Sequence, residues 1–299
     1  MRVVAAGSGI ISSVAGTGIS GFSGDGEQAT AATVGAPMNV IGRPSTDETL
    51  LYVSDFENYR IRVLSEFAPT FMPTFSPLAL VPGLSVSAFA GSGLVMEYNC
   101  TSYVNRHGDH TADFGPTCIA ANGLESCCNS ARNFYVMHGR FAGRQAGLEL
   151  PTATGDGGAA TSATLVGPHQ TWIDPSERYL YIAACFGGVR RVDLVTNAID
   201  QFGAFTSGCP LGVYGDSAGH VYVAEKSGFR VSTVDVASGV VATFAGGNGA
   251  GNSADGTPAT LAQLNYPTYL AGDTAGNVFI ATIIGINMVN YSTGLISTY

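Results

Sequence analysis

The chain has 299 residues and a net charge of −9, and only 12% of its residues are charged, about half of the roughly 25% usual for soluble domains. Lysine occurs once, at Lys226, and the arginines are scattered along the chain. A nucleic-acid partner requires clustered positive charge, so this composition argues against one. The sequence has no apolar run of 18 residues, and no membrane-spanning helix is predicted.

The first 18 residues read as two short strands ending in V-A-G-T-G, the last two strands of a repeating unit. They contain no apolar run typical of a signal peptide, and the numbering is expected to begin inside a larger precursor. Gly24-Asp25-Gly26 follows. A phosphate loop or a calcium loop would need further motif residues, and only Glu27 adds a nearby carboxylate. We therefore interpret this stretch as a turn leading toward the next inner strand.

Residues 37–64 alternate apolar and polar residues around short turns, which is typical of β-hairpins. Residues 66–83 contain several prolines and phenylalanines and are predicted to form an extended excursion that packs apolar groups on a neighbour. A further strand ends in A-G-S-G at residue 93. One unit therefore consists of a proline followed by four strands, the last of which ends in A-G-x-G.

The unit returns later in the chain, after a small-residue Ala-Thr segment and a proline. Four-stranded units of about 40–55 residues indicate β-propeller blades. The sequence therefore predicts an all-β fold, a single β-propeller over residues 1–299. The following segments resemble the last strand of a blade and favour six blades, one of them split or degenerate: 10–15, 84–90, 134–142, 198–203, 239–245 and 294–299.

The unit resembles the NHL repeat. The best copy is L-L-Y-V-S-D-F-E-N-Y-R-I-R-V-L at 50–64, in which Asp55, Asn58, Arg60 and Ile61 fit the D-x-x-N-x-R-I-R core. The other copies keep the strands but lose the Asn-x-Arg pattern. The resemblance implies a propeller of four-stranded blades and implies no particular activity, because propellers carry many functions.

NHL-like lyases place metal-binding or catalytic histidines just after the blade's proline, in several blades. Here His169 stands at that position, and the matching residues in other copies are Met38, Leu211 and Thr268. A single histidine without such partners favours a hydrogen-bonded structural role. The resemblance nevertheless leaves an alternative function, a lyase or hydrolase with a metal site near His169.

Residues 94–133 break the repeat and are predicted to form a disulfide-rich insertion containing Cys100, Cys118, Cys127 and Cys128. Its connectivity stays open, although the adjacent Cys127 and Cys128 do not bond each other easily. Zinc binding is a weaker alternative, because the spacing matches no standard finger. The histidines that would take part in such a site are His107, His110 and His138. The remaining pair, Cys185 and Cys209, is expected to join adjacent blades.

The six cysteines, the scarcity of lysine and two N-x-[ST] sequons at Asn99 and Asn290 together favour an extracellular or cell-surface protein. The low charge suggests a surface covered by sugar or by other protein chains, including copies of this one or other segments of its precursor. The predicted function is a non-enzymatic interaction or structural module of a larger cell-surface or filamentous assembly, without a cofactor.

Overall fold

The computed structural model divides the chain into two compact units, Met1–Val95 with Pro151–Tyr299 and Met96–Leu150. For the strands between 118 and 136 it describes the backbone alone. It describes residues 1–4, 8–43, 50–66, 84–92, 118–121, 124–128, 134–136, 153–203, 205, 208–236 and 238–299. Most of the Pro/Phe-rich segment 66–83 and most of the insertion 94–133 therefore lie outside the described residues.

The larger unit begins with a two-stranded hairpin, named here the half-blade, and continues with four sheets, named the first to fourth blades. The half-blade comprises β1 (Arg2–Val4) and β2 (Ile11–Ser13). The first blade comprises β3 (Glu27–Gln28), β4 (Pro37–Gly42), β5 (Leu51–Asp55), β6 (Arg60–Glu66) and β7 (Leu84–Ala90).

The smaller unit contains one antiparallel sheet in the order β10-β9-β8. Its strands are β8 (Cys118–Ala121), β9 (Leu124–Cys128) and β10 (Phe134–Val136). The chain then returns to the larger unit.

The remaining three blades repeat the pattern of the first. The second comprises β11 (Pro168–Ile173), β12 (Tyr179–Ala184), β13 (Gly188–Asp193) and β14 (Ile199–Phe202); the third comprises β15 (Pro210–Gly215), β16 (His220–Glu225), β17 (Arg230–Asp235) and β18 (Val241–Gly246). The fourth comprises β19 (Thr257–Pro258), β20 (Tyr269–Gly272), β21 (Val278–Thr282), β22 (Gly285–Val289) and β23 (Leu295–Thr298).

Five short 3₁₀ turns are the only helical segments in the described ranges. They are Ala29–Ala31, Phe56–Asn58, Ala160–Ser162, Lys226–Gly228 and Ala259–Leu261. None of them is long and apolar enough to cross a bilayer, within the part of the chain that the structure describes.

Each blade is an antiparallel meander whose four main strands pair in chain order. The short strands β3 and β19 lie at the outer edge of their sheets, and the four main strands are counted without them. The first main strands of successive blades contact one another, β4 with β11, β11 with β15 and β15 with β20. The Tyr269 hydroxyl on β20 also lies 4.0 Å from Met38 Sδ on β4. This arrangement, with first strands innermost, is that of a β-propeller, as the sequence predicts. The count of six blades stays a prediction.

The apolar core lies between adjacent blades. One cluster joins Tyr52 and Ile61 of the first blade to Leu180 and Ile199 of the second. Equivalent clusters join the second blade to the third and the third to the fourth. Trp172, the only tryptophan, packs against the cluster between the second and third blades. Alternating strand residues therefore fill the spaces between sheets, as expected for stacked twisted sheets.

The A-G-S-G end of the first blade connects it to the start of the second. The Gly91 and Ser92 amides donate to the Ala160 and Ala163 carbonyl oxygens, at 2.9 and 2.7 Å. Gly91 has a φ of +89°, and a Cβ there would lie 2.4 Å from the Tyr59 carbonyl oxygen. Only glycine fits this approach. The first and second blades are thus joined directly, although residues 93–150 separate them in sequence.

Candidate functional site

The aspartate of the G-D-G turn forms an ion pair with a buried arginine on the third strand. Arg62 is 1% exposed, and its Nη2 donates to Asp25 Oδ1 at 2.7 Å. Its Nη1 lies 3.6 Å from Asp55 Oδ2. The guanidinium also donates to the Thr33 and Ser23 carbonyl oxygens, at 3.0 and 2.9 Å. Asp25 therefore does more than form a turn, because it neutralises a charge in the core.

The second blade repeats this pair. Arg190 is fully buried, and its Nη2 donates to Asp156 Oδ1 at 2.6 Å. The fourth blade has no arginine at this position. There Asn287 Nδ2 lies 3.3 Å from Asn252 Oδ1, and Asp255 Oδ1 instead accepts from the Thr298 amide at 2.7 Å. All three turn aspartates therefore have partners within their own blade.

The residues that match the NHL core also form an internal network. Asp55 is fully buried and accepts hydrogen bonds from the Gly35 amide at 2.6 Å and from Asn58 Nδ2 at 2.8 Å. Burial raises the pKa of Asp55, while the Asn58 and Gly35 hydrogen bonds and the Arg62 charge oppose that rise. Arg60 donates to the Ser92 carbonyl oxygen at 2.8 Å and so holds the end of β7.

The third blade keeps this network in altered form. Glu225 takes the place of Asp55, and Arg230 takes the place of Arg60, because β16–β17 have the same register as β5–β6. Arg230 Nε and Nη2 donate to the two carboxylate oxygens of Glu225 at 2.8 and 2.9 Å. The Ser232 hydroxyl donates to Glu225 Oε1. Sequence reasoning missed this counterpart of Arg60, because a glutamate stands where the repeat has an aspartate.

His169 lies where the sequence predicts, just after the proline that begins an inner strand. Its Nδ1 lies 2.9 Å from the Gly167 carbonyl oxygen, and its ring packs edge-on against Phe56 with 4.9 Å between centroids. Burial lowers the pKa of His169 and the Lys226 charge lowers it further, while the Gly167 hydrogen bond opposes both. Burial therefore favours the neutral imidazole.

The positions matching His169 in the other blades carry Met38, Leu211 and Thr268, which offer no imidazole. Within the described ranges, no three His, Cys, Asp or Glu side chains are grouped as a metal site would require. His169 is thus brought close to an aromatic ring and a backbone oxygen, and among the described residues it belongs to no such group of three.

Amide side chains join the inner strands. Gln170 Nε2 donates to the Leu270 carbonyl oxygen at 2.7 Å, and its Oε1 accepts from the Leu270 and Val213 amides at 3.0 and 3.2 Å. Asn39, at the same position in the first blade, accepts from the Thr171 hydroxyl at 2.7 Å. Gln170 therefore links three blades. The only sequence signal was an amide two residues after the proline in two copies.

Cys185 and Cys209 are joined by a disulfide, the pairing expected from the sequence. Cys185 follows β12, and Cys209 immediately precedes β15, so the bond connects the second blade to the start of the third. Asn99 and Cys100 lie outside the described residues, as do the side chains of Cys118, Cys127 and Cys128 and the histidines His107, His110 and His138. Their predicted disulfide, glycan and zinc roles stay predictions.

The Asn290 sequon lies in the turn between β22 and β23. Asn290 Oδ1 accepts from the Ser292 amide and hydroxyl at 3.1 and 2.7 Å, and the neighbouring Tyr291 is exposed. The turn is therefore at the surface, as a glycosylation site must be.

No family model matches the chain, and no curated protein matches it. Among solved structures, the chain is similar to one in a nidogen/laminin complex, at 9% identity over 91% of this chain and 82% of that one, with a TM-score of 0.39. It is also similar to a structural genomics protein of unknown function from Bacteroides thetaiotaomicron, at 15% identity over 95% and 74% of the two chains, with a TM-score of 0.36.

A third similar structure is a gluconolactonase from Xanthomonas campestris, at 13% identity over 83% of this chain and 71% of that one, with a TM-score of 0.34. Because all three TM-scores are below 0.5, the propeller fold is taken from the sheets of this chain, and no site is transferred from these proteins.

Proposed function

We propose that this chain is an NHL-type β-propeller acting outside the cell as a non-enzymatic interaction or structural module, whose partners are other protein chains. One contrast supports this most. The charged side chains of the repeat, such as Arg62 and Glu225, are engaged inside the blades. Large apolar side chains of the half-blade are instead exposed, and Val4, Ile10 and Ile11 are 62%, 60% and 51% exposed.

An extracellular location is supported by the Cys185–Cys209 disulfide and by the surface position of the Asn290 sequon. Intact mass measurement of the native protein tests both. We expect a glycan mass that disappears in Asn290→Gln, and cysteines that react with a thiol reagent only after reduction. Free thiols and an unmodified Asn290 in native material would contradict this location.

Cross-linking of native material tests the interaction role. A carboxylate-reactive reagent is needed, because the chain has one lysine but 22 acidic residues. We expect cross-links to other protein chains, and we expect them to be lost when residues 94–133 are deleted. The deletion should leave the far-UV circular dichroism of the blades unchanged. If it unfolds the chain, the segment belongs to a blade and is not an insertion.

The second candidate is a lyase or hydrolase at His169, and the position of this histidine just after the proline that begins an inner strand favours it. Zinc titration by calorimetry tests it, with His169→Ala as the variant and His220→Ala as the matched control. Saturable binding lost only in His169→Ala would support the enzyme. Equal zinc binding by all three proteins would argue against it.

A further inference from the structure

The half-blade has the register of the last two strands of a complete blade. In the half-blade, Arg2, Val3 and Val4 lie opposite Ser13, Ser12 and Ile11. In the first blade, Arg62, Val63 and Leu64 lie opposite Ala88, Ser87 and Val86. The chain then continues V-A-G-T-G after β2 and F-A-G-S-G after the same point of β7. β1 is thus a third strand and β2 a fourth strand.

The two settings differ in burial. Val4 is 62% exposed, whereas its four counterparts are almost fully buried. They are Leu64 at 1%, Val192 at 0%, Val234 at 0% and Val289 at 2% exposure. Val192, Val234 and Val289 are each buried against the preceding blade, so the exposure of Val4 marks a face that no preceding blade covers within the described residues. In the same residues β1 pairs only with β2, which leaves its other backbone edge unpaired. An open apolar edge of this kind is a template for a further strand.

We propose that the open edge of β1 binds a β-hairpin equivalent to the first two strands of a blade, supplied by a protein chain other than a copy of this one. This names the partner class of the interaction role proposed above and rests on that role. The hairpin completes the half-blade as a four-stranded sheet.

The complete blades specify the sequence of the strand that pairs with β1. Opposite the position of Val4 stands Leu or Val, opposite Val3 stands Tyr or Phe, and opposite Arg2 stands Val or Ile. The four examples are Leu51-Tyr52-Val53, Leu180-Tyr181-Ile182, Val221-Tyr222-Val223 and Val278-Phe279-Ile280. This pattern occurs four times in the chain, each time within a complete blade. The occupant of β1 therefore carries a fifth copy.

The residue that follows the second strand of the hairpin would also contact this chain. In the first and second blades it lies beside the residue before the next blade's proline. Cys185 bonds Cys209, and Phe56 lies 3.4 Å from the position that a Gly167 Cβ would occupy. At the half-blade, the corresponding residue of the first blade is Ala36. A cleft of about 300 Å³ lies there, and Met1, Val34, Ala36 and Pro37 are among its lining residues. An apolar or aromatic side chain of the hairpin fits it.

The space beside Gly16 is also larger than the space beside the equivalent glycines of complete blades. Gly16 adopts a φ of +88°, like its counterparts Gly91 and Gly246. A Cβ at either counterpart would lie 2.4 Å from a turn carbonyl oxygen, that of Tyr59 or Phe229. At Gly16 the nearest atom would be 3.7 Å away. The half-blade therefore keeps the glycine that a complete blade needs, and the occupant's turn fills the space beside it.

A peptide of residues 210–229 tests the proposal, because it contains β15, β16, Val221-Tyr222-Val223 and the following turn. It is added to the full chain both as a linear peptide and cyclised through a glycine linker, since an isolated hairpin is marginally stable in water. We expect saturable binding with hydrogen-exchange protection at residues 2–4. A peptide with Thr at 221, 222 and 223 is the matched control and should not bind.

A charge on the open edge should block this binding. Val4→Asp is expected to weaken the affinity for the peptide by at least about tenfold, or about 1.4 kcal/mol. Val240→Asp is the matched control, because Val240 is also 62% exposed but precedes β18 in the third blade. It should change the affinity by less than about twofold. Both variants should keep the circular dichroism spectrum of the wild type.

Disulfide trapping tests the register. The Cys185–Cys209 bond predicts that a peptide with Lys226→Cys will cross-link to an Ala36→Cys chain, whereas a peptide with Val221→Cys will not. Absence of binding by both peptide forms, equal binding by the Thr control, or equal trapping at both peptide positions would each overturn the proposal. So would a dimer of the chain that Val4→Asp dissociates, because a second copy would then cover β1. None of these results would affect the deletion experiment above.

Discussion

The third blade and the half-blade contain the same strand pair of the repeat, and they bury it to very different extents. In the third blade Val234 on β17 is fully buried in the cluster that includes Tyr181 and Phe202 of the second blade. In the half-blade Val4 on β1 is 62% exposed, because no preceding blade covers it within the described residues. The apolar pattern of a strand therefore indicates that other residues should cover it, whereas its burial depends on whether those residues are present.

The arginines of the repeat give the same contrast for charge. Arg62 and Arg190 are buried and paired with Asp25 and Asp156. Arg2, at the same position of the half-blade, is exposed. A buried guanidinium needs its carboxylate, whereas an exposed one is solvated. The same residue type should therefore matter greatly in one setting and little in the other.

Replacing these arginines should give the largest difference. Arg62→Ala removes the cation beside the fully buried Asp55 and should lower the free energy of unfolding by about 4 kcal/mol. Arg2→Ala is the matched control and should change it by less than about 0.5 kcal/mol. Denaturant unfolding measures both. Equal losses of unfolding free energy in the two variants would mean that Arg2 stabilises the fold as much as Arg62 does.

The disulfide between the second and third blades should contribute the next largest effect. Replacing both Cys185 and Cys209 by Ser opens a loop with a sequence separation of 24 and should cost about 3 kcal/mol. Each single replacement should cost as much as the double one, because either removes the bond. Additive losses from the two single variants would instead show that each side chain acts through its own packing.

Valine truncation should sharpen the comparison of burial. Val234→Ala removes buried apolar surface in the third blade and should lower the free energy of unfolding by about 2 kcal/mol. Val4→Ala should change it by less than about 0.5 kcal/mol in the isolated chain. Urea unfolding curves give both values. A large cost for Val4→Ala would show that its side chain is covered even without a partner.

The smallest effect concerns pH. Burial lowers the pKa of His169 in the folded state, so the unfolded chain binds a proton first as the pH falls. Stability should therefore decrease as the pH falls below about 6.5, the pKa of an unperturbed histidine. His169→Gln should reduce this loss, measured by thermal unfolding between pH 7 and pH 5. His220→Gln, at a more exposed histidine, is the control. If the unfolding temperature depends on pH with the same slope in both variants, the effect does not come from His169.

Much of the fold could be predicted from short-range patterns, and much of the site could not. The strand pairs are visible because alternation and turn residues are local. The Asp25–Arg62 pair joins residues 37 positions apart, and nothing in G-D-G indicates a buried partner. The bidentate Glu225–Arg230 pair was missed because glutamate replaces the aspartate of the repeat. Gln170 was missed because only the meeting of three blades gives its amide a role.

The sequence by itself determined the four-stranded repeat, the pairing of Cys185 with Cys209 and the half-repeat at residues 1–18, since each depends on residue spacing along the chain. The tertiary structure alone decided which of these residues are buried. Leu64 and Val4 occupy the same position of the repeat, and only the packing of sheet against sheet encloses Leu64 and leaves Val4 uncovered. Burial is a property of neighbours, and neighbours exist only once the chain has folded.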